Sequence, residues 1–415
     1  MGLTRTPARK TRAGVRDAVV ATYQLAGDFP LADGARVVAM EQSTGTWTAI
    51  AKRTGSLEDR LAAWVVSTDK RKGTARIAFP LEIFEPGNVA GVLSIVAGNL
   101  FGLGSLGRAR LVDLDVPAAF AKAYPGPGPG IKGIRKAVGS TRLGRPHGGT
   151  IVKPKVGLTP AQTASVAGEA ALGGLDLIKD DETLTDQDFC RLAERTPRVM
   201  HALDRARDET GKGCLYAVNI TAGGDDILRR LDVVRDAGAN CVMVDVLTSG
   251  FDALAAVRRA TKLPIHVHRT MHGALTRSQD FGIAMLPIAR LVRLCGGDQL
   301  HIGSASGKME HDEHLGDLLA ALRDPWHGLT ATFPVSSGGL HPASVPAEVK
   351  AFGPDVVLQA GGGIHGHPGG TTAGARAFMQ AIAAAHAGRP LARNAPPELA
   401  AAIALWGKET YAYGT

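Results

Sequence analysis

The 415-residue chain carries 47 Lys and Arg against 39 Asp and Glu, a formal net charge of +8, with 45% hydrophobic and 21% charged residues. These values describe an ordinary soluble globular protein and exclude a disordered chain, and its 52 glycines follow no G-X-Y period, which excludes collagen. Cys190, Cys214, Cys241 and Cys295 form no CxxC pair, so a disulfide scaffold and a cysteine zinc site are excluded. No apolar segment follows the basic start, and the uncharged stretch 88–107 is broken by Asn, Ser and Gly, so it reads as a buried helix and turn. A cytoplasmic protein without a membrane partner is expected. Arg5, Arg9, Lys10, Arg12 and Arg16 form a basic arm, but no nucleic-acid module follows, and the arm reads as a solvated tail. The basic excess suits a small anionic substrate.

In chain order, 18–24, 36–42, 46–51 and 74–79 read as strands, and 59–66 and 88–97 as helices. They imply an N-terminal α+β domain, ferredoxin-like, over 1–127. The run YPGPGPGIKG (124–133) admits neither helix nor central strand and marks the boundary. Beyond it, short β-branched runs recur at 150–152, 175–178, 215–220, 241–246, 264–268, 299–302, 331–335 and 356–359. Helical stretches such as 160–172 and 225–237 separate most of them. Eight parallel β/α units predict a TIM (β/α)8 barrel over 128–415, although an open doubly wound sheet gives the same local pattern.

The residues just after each strand carry the most information. Lys153 and Lys155 succeed the first run, Lys179-Asp180-Asp181-Glu182 the second, His268-Arg269 the fifth and His301 the sixth, with Lys308 beyond it. Ser336 to Gly339 succeed the seventh run, and Gly361 to Gly363 the eighth. Singly, each has a plain reading: a solvated helix start, a turn, core histidines in HVHRTMH, an exposed polar face at His311 and His314. In a barrel, however, all the strand ends converge on one mouth. There Asp181 and Glu182 offer hard oxygen ligands suited to Mg²⁺, and glycine loops let backbone N–H groups approach phosphate.

These residues resemble the large subunit of RuBisCO. The match runs through GGTIVKPKVGL (148–158), GGLDLIKDDETL (173–184), LTSGF (247–251), HVHRTMH (266–272), HIGSASGKME (301–310), PVSSGGLH (334–341) and VLQAGGGIHGHPGG (357–370). STGTW (43–47) and the segment 79–102 extend it into the first domain. The resemblance implies that Lys179 reacts with CO2 to form a carbamate that binds Mg²⁺ together with Asp181 and Glu182. It implies catalytic roles for Lys153, Lys179, His268 and Lys308, with Lys155 as the charged neighbour of Lys153. One phosphate falls to Arg269 and His301, with Ser337 nearby on the substrate. The other falls to Gly338, Gly339, Gly361, Gly362 and Gly363, helped by Thr46 and Trp47. Glu41, Thr46, Trp47 and Asn99 come from a neighbouring subunit, so a homodimer, or a multiple of dimers with shared sites, is implied.

Three departures from the family pattern stand out. Ile151 replaces a threonine, Ile302 replaces a small residue, and Ser304-Ala305-Ser306 replaces an aliphatic pair. On these the chain reads as a RuBisCO-like protein of form IV that acts on a phosphorylated keto sugar or sugar acid through a Mg-stabilised enediolate. The reading placed first is decarboxylation, or transcarboxylation with hydrolysis, of a 3-oxo sugar-acid phosphate of the 3-oxo-isoapionate 4-phosphate type. An enolase or isomerase of a methylthio-sugar phosphate comes second. Carboxylation of ribulose bisphosphate and a non-catalytic metabolite-binding protein rank below.

Overall fold

The computed structural model describes residues 15–45, 55–306 and 314–407. Its strands are β1 (Ala18–Ala26), β2 (Trp64–Asp69), β3 (Thr74–Pro80), β4 (Arg108–Asp115), β5 (His147–Ile151) and β6 (Leu177–Lys179). They continue with β7 (Leu215–Asn219), β8 (Cys241–Asp245), β9 (Ile265–His268), β10 (Phe281–Ile283), β11 (Gln299–His301), β12 (Phe333–Ser337) and β13 (Val357–Ala360). The chain divides into two compact units. One comprises the residues up to Pro125 with Met271–Leu294 and Trp326–Gly328, and the other holds the remainder.

The first unit is built on a five-stranded sheet in the order β10-β4-β1-β3-β2. Its centre, β1, pairs antiparallel with β3 and β4 and buries Val19, Ala21 and Tyr23 completely. The buried Tyr23 hydroxyl is satisfied by the Val96 carbonyl at 2.7 Å. Helix Val89–Ala97 forms as expected, with Asn88 accepting from the Gly91 N–H at its start.

Two expectations for this unit need correction. Residues 36–42 are not a strand: helix Leu31–Glu41 covers them up to Glu41 and buries Gly34, Ala35, Val38 and Ala39 against β2 and β3. Spacing of one and four residues is a helical stripe, and it overrides the β-branched Val37-Val38 pair. The expected helix 59–66 is instead helix Ser56–Leu61 followed by β2, because Ala62 turns extended and Trp64 and Val65 pair with Ala78 and Ile77 of β3. The expected strand 46–51 lies outside the described residues. β10, three residues with a glycine at φ 130°, has no local signal, and pairing with β4 alone creates it.

In the second unit eight parallel strands close in the order β11-β12-β13-β5-β6-β7-β8-β9. Pairing of β9 with β11 and of β13 with β5 completes the ring and rules out the open sheet. All eight predicted runs become these strands, within a few residues at their ends. Their continuous apolar character follows from burial on both faces. One core cluster joins Leu177, Leu215, Ala217, Met243, Phe333, Val335 and Val357 to Ile131, Ile134 and Val138 of the helix region at 130–138. Burying each large apolar side chain there stabilises the barrel by about 1.5–3 kcal/mol. Helix Pro160–Leu172 starts where Thr159 and Gln162 form a capping box, and helix Asp226–Asp236 fills the second predicted segment. Among the described residues no helix is long and apolar enough to cross a membrane.

Candidate active site

The polar strand ends do converge. A cavity of about 540 Å³ opens at the C-terminal ends of the barrel strands, within the usual range for small-molecule sites. Lys153, Lys155, Lys179, Glu182, His268, His301, Ser337, Gly338, Gly339, Gly361, Gly362 and Gly363 all line it. Asp181 and Arg269 are buried and are not on the wall. Thr46, Trp47 and Lys308 lie outside the described residues. Glu41 ends helix Leu31–Glu41 and Asn99 precedes the turn Leu100–Gly102, both in the first unit.

At the floor, Lys179 ends β6 at 1% exposure. Its Nζ donates to the Asp180 carbonyl at 2.7 Å and lies 3.5 Å from Glu182 Oε2. Burial pushes the ammonium below its ordinary value, against the pull of Glu182, Asp181 and Asp180. Asp181 is held low despite its own burial, because Lys153 Nζ donates to it at 2.6 Å and Thr183 donates through both N–H and Oγ–H. The tight Asp180-Asp181 turn is secured from behind. Asp180 accepts from Arg195, Tyr216 and the Asn219 N–H, and Asn219 Nδ2 donates to the Asp181 and Glu182 carbonyls.

His268 ends β9 with Nδ1 3.1 Å from Asp245 and 2.9 Å from Thr270 Oγ1, while Nε2 points toward Glu182 Oε2 at 3.8 Å. Asp245, at the end of β8, is the orienting group that sequence reasoning missed, although the strand-end rule would have reached it.

A second histidine chain runs Gln299–His266–His301–Ser337. His266 Nδ1 faces the Gln299 side-chain Oε1 at 2.6 Å, so that nitrogen carries the proton. His301 Nε2 therefore donates to His266 Nε2 at 2.8 Å, and His301 Nδ1 accepts the Ser337 hydroxyl proton at 2.6 Å. This tautomer assignment needs both rings neutral, and burial supplies that, pushing His266 down to about 3 and His301 well below its ordinary value.

The glycines have steric reasons to be there. Gly338 and Gly339 take φ of 116° and 84°, which only glycine adopts without strain. A Cβ on Gly363 would sit 2.1 Å from the Leu340 carbonyl, and one on Gly361 would sit 3.1 Å from Lys153 Cε. Leu340, His341, Gln359 and Gly366, inside the matched motifs but given no role there, and Trp406, outside them, also line it.

The ligand chemistry fits a divalent cation on one condition. Among the described residues no three His, Cys, Asp or Glu side chains gather into a metal-binding set. Asp181 and Glu182 supply two carboxylates, and a carbamate on the adjacent Lys179 would turn an amine into the missing oxygen donor.

Residues 130–406 match the family model of the ribulose bisphosphate carboxylase large chain, catalytic domain, and residues 12–120 match that of its N-terminal domain. The chain belongs to the RuBisCO large-chain superfamily. It is 42% identical over 397 residues to the ribulose bisphosphate carboxylase of Methanocaldococcus jannaschii, covering 90% of this chain and 93% of that one. The sulfate complex of octameric ribulose-1,5-bisphosphate carboxylase/oxygenase from Pyrococcus horikoshii superposes with a TM-score of 0.87 at 37% identity, covering 95% of each chain. A rubisco-like protein from Burkholderia fungorum gives a TM-score of 0.82 at 31% identity, covering 94% of this chain and 100% of that one. The family is enzymatic and uses Mg²⁺ with a carbamylated lysine.

These relatives overturn the reading placed first from sequence, decarboxylation or transcarboxylation of a 3-oxo sugar-acid phosphate, and with it the methylthio-sugar phosphate alternative. The site gives a physical reason. Of the departures that favoured a different substrate, Ile302 is fully buried and is not on the cavity wall. Ser306 hydrogen-bonds Glu348. Only Ile151 faces the cavity.

Proposed function

We propose that this chain is a ribulose bisphosphate carboxylase of the kind found in its archaeal relatives. The observation that supports it best is the grouping of buried Lys179 with Asp181 and Glu182 at a cavity that Lys153, His268, His301 and the glycine loops also line. This reading replaces form IV, which rested on the three departures in sequence.

Adding CO2 to a ketose bisphosphate needs a carbon nucleophile, made by removing the proton beside the carbonyl. The side chains of Asp181, Glu182 and carbamylated Lys179 would hold Mg²⁺, which supplies Lewis-acid polarisation of that carbonyl when bound. Lys153, ion-paired with Asp181, carries a proton at the mouth, and Lys155 adds positive charge 4.0 Å from Glu182. His268, oriented by Asp245, meets a substrate hydroxyl. The end of the cavity at His301 and Ser337, backed by Arg269, takes one phosphate, with the Ser337 hydroxyl turning from His301 to the phosphate. The backbone N–H groups of Gly338, Gly339, Gly361, Gly362 and Gly363 take the other. Glu41, Thr46, Trp47 and Asn99 complete the site from a second subunit, so the working unit is a dimer or a multiple of dimers. Lys308 steadies the carboxylate formed.

The test incubates the purified chain with Mg²⁺, radiolabelled bicarbonate and ribulose bisphosphate. Acid-stable label in product is the expected result, and its absence under saturating bicarbonate overturns the reading.

A further inference from the structure

Glu348, on helix Val345–Phe352, is fully buried, and no role assigned above uses it. A buried carboxylate is costly unless donors surround it. Here four hydrogen bonds do so. Ser336 Oγ–H and the Ala305 N–H donate to Oε2 at 2.6 and 3.0 Å. Ser306 Oγ–H and the Ser306 N–H donate to Oε1 at 2.6 and 2.8 Å.

The donors come from two places. Ala305 and Ser306 belong to the polypeptide leaving β11, and Ser336 belongs to the end of β12. Ser336 is the neighbour of Ser337, which stands on the cavity wall against His301, the last residue of β11. A single carboxylate therefore ties together two adjacent strand ends of the mouth. Lys308 follows Ser306 by two positions in the chain. Backbone N–H groups cannot rotate away, so the anchor fixes chain direction and not merely side-chain rotamers. Ser306 lies in the Ser304-Ala305-Ser306 run that departs from the family's aliphatic pair, and Glu348 is the buried acceptor that its hydroxyl answers.

We propose that Glu348 is a positioning residue for the carbon–carbon bond-forming step, holding the exit of β11 in register with Ser336 and Ser337. This rests on the carboxylase reading. Proton removal at the substrate depends on Lys153, Lys179 and His268, which Glu348 does not touch, so the two steps respond differently to its loss.

Glu348→Gln keeps the shape but turns an NH2 toward N–H and O–H donors. We expect carboxylation to fall by about tenfold while exchange of the substrate's C3 proton with solvent changes by less than about twofold. An equal fall in both, or no fall in either, overturns the proposal. Should that variant not fold, Ser306→Ala keeps Glu348 and both backbone donors; we expect a shift of about two- to threefold in the same ratio. An unshifted ratio there overturns it. Amide hydrogen exchange at Ala305 and Ser306 reads the anchor without turnover. Faster exchange in Glu348→Gln supports it and unchanged protection overturns it, even for a wild-type chain that fails to carboxylate and so defeats the functional reading alone.

Discussion

The two ends of the barrel both bury charge, and they treat it in opposite ways. At the N-terminal end of the strands, Asp298 takes the Arg258 guanidinium at 2.9 Å together with the N–H groups of Gly130 and Ile265. Arg145 grips both oxygens of Asp176, which also accepts from the Gly148 N–H. Arg135 pairs with Asp355, and His147 lies 2.6 Å from Ser140 Oγ. Every one of these charges is matched inside the protein. At the C-terminal end the charges are matched only in part: Lys155 and Glu182 are 4.0 Å apart, and the glycine loops face a cavity. The closed end satisfies its charges internally, whereas the open one lines a cavity that a ligand's charges can complete. The same chemistry thus serves stability at one end and binding at the other.

That contrast is broken most severely by Lys179→Ala. It removes the amine that forms the third oxygen donor, so we expect kcat to fall by about a thousandfold or more, and Mg²⁺ no longer to raise Tm.

Asp298→Ala strikes the closed end. Arg258, 6% exposed, is left without its carboxylate, and we expect about 3–5 kcal/mol of destabilisation by denaturant titration at about pH 7.5. Activity of the molecules that remain folded is expected to be unchanged, which separates the two ends.

The smallest effect is a pH slope. Burial lowers His147 to about 4 in the folded state, against an unfolded value near 6.5, so the unfolded chain binds more protons between those limits. Its stabilising contribution is present above about pH 6.5 and fades as the pH falls toward about 4. Between about pH 7 and pH 5 this loss amounts to about 2 kcal/mol, and His147→Gln is expected to flatten the curve by that amount. An identical slope in the variant, measured by unfolding at both pH values, overturns the assignment.

The eight barrel strands were legible because burial on both faces forces β-branched runs, and Pro/Gly turns and helices punctuate them. The site was legible because barrel geometry gathers strand ends, so Lys153, Lys179, Glu182, His268, His301 and Ser337 could be grouped without coordinates. The first unit was less so. Val37-Val38 carries a strand signal locally, yet a helical stripe buries it against β2 and β3. Substrate choice was misjudged because Ile302 and Ser306 differ from the family pattern without either facing the cavity, and a sequence does not show where a side chain points.

By itself, then, the sequence determined the eight β/α units and the polar residues at their strand ends, through periodicity and residue type, and the superfamily through the resemblance of its motifs. Only the tertiary structure decided ring closure and the three-residue β10, because pairing partners distant in the chain create both. It alone showed Asp245 behind His268, the protonation order from Gln299 to Ser337, and Glu348 beneath Ser306. Those contacts join residues tens of positions apart, and hydrogen-bond direction is fixed only once donor and acceptor face each other.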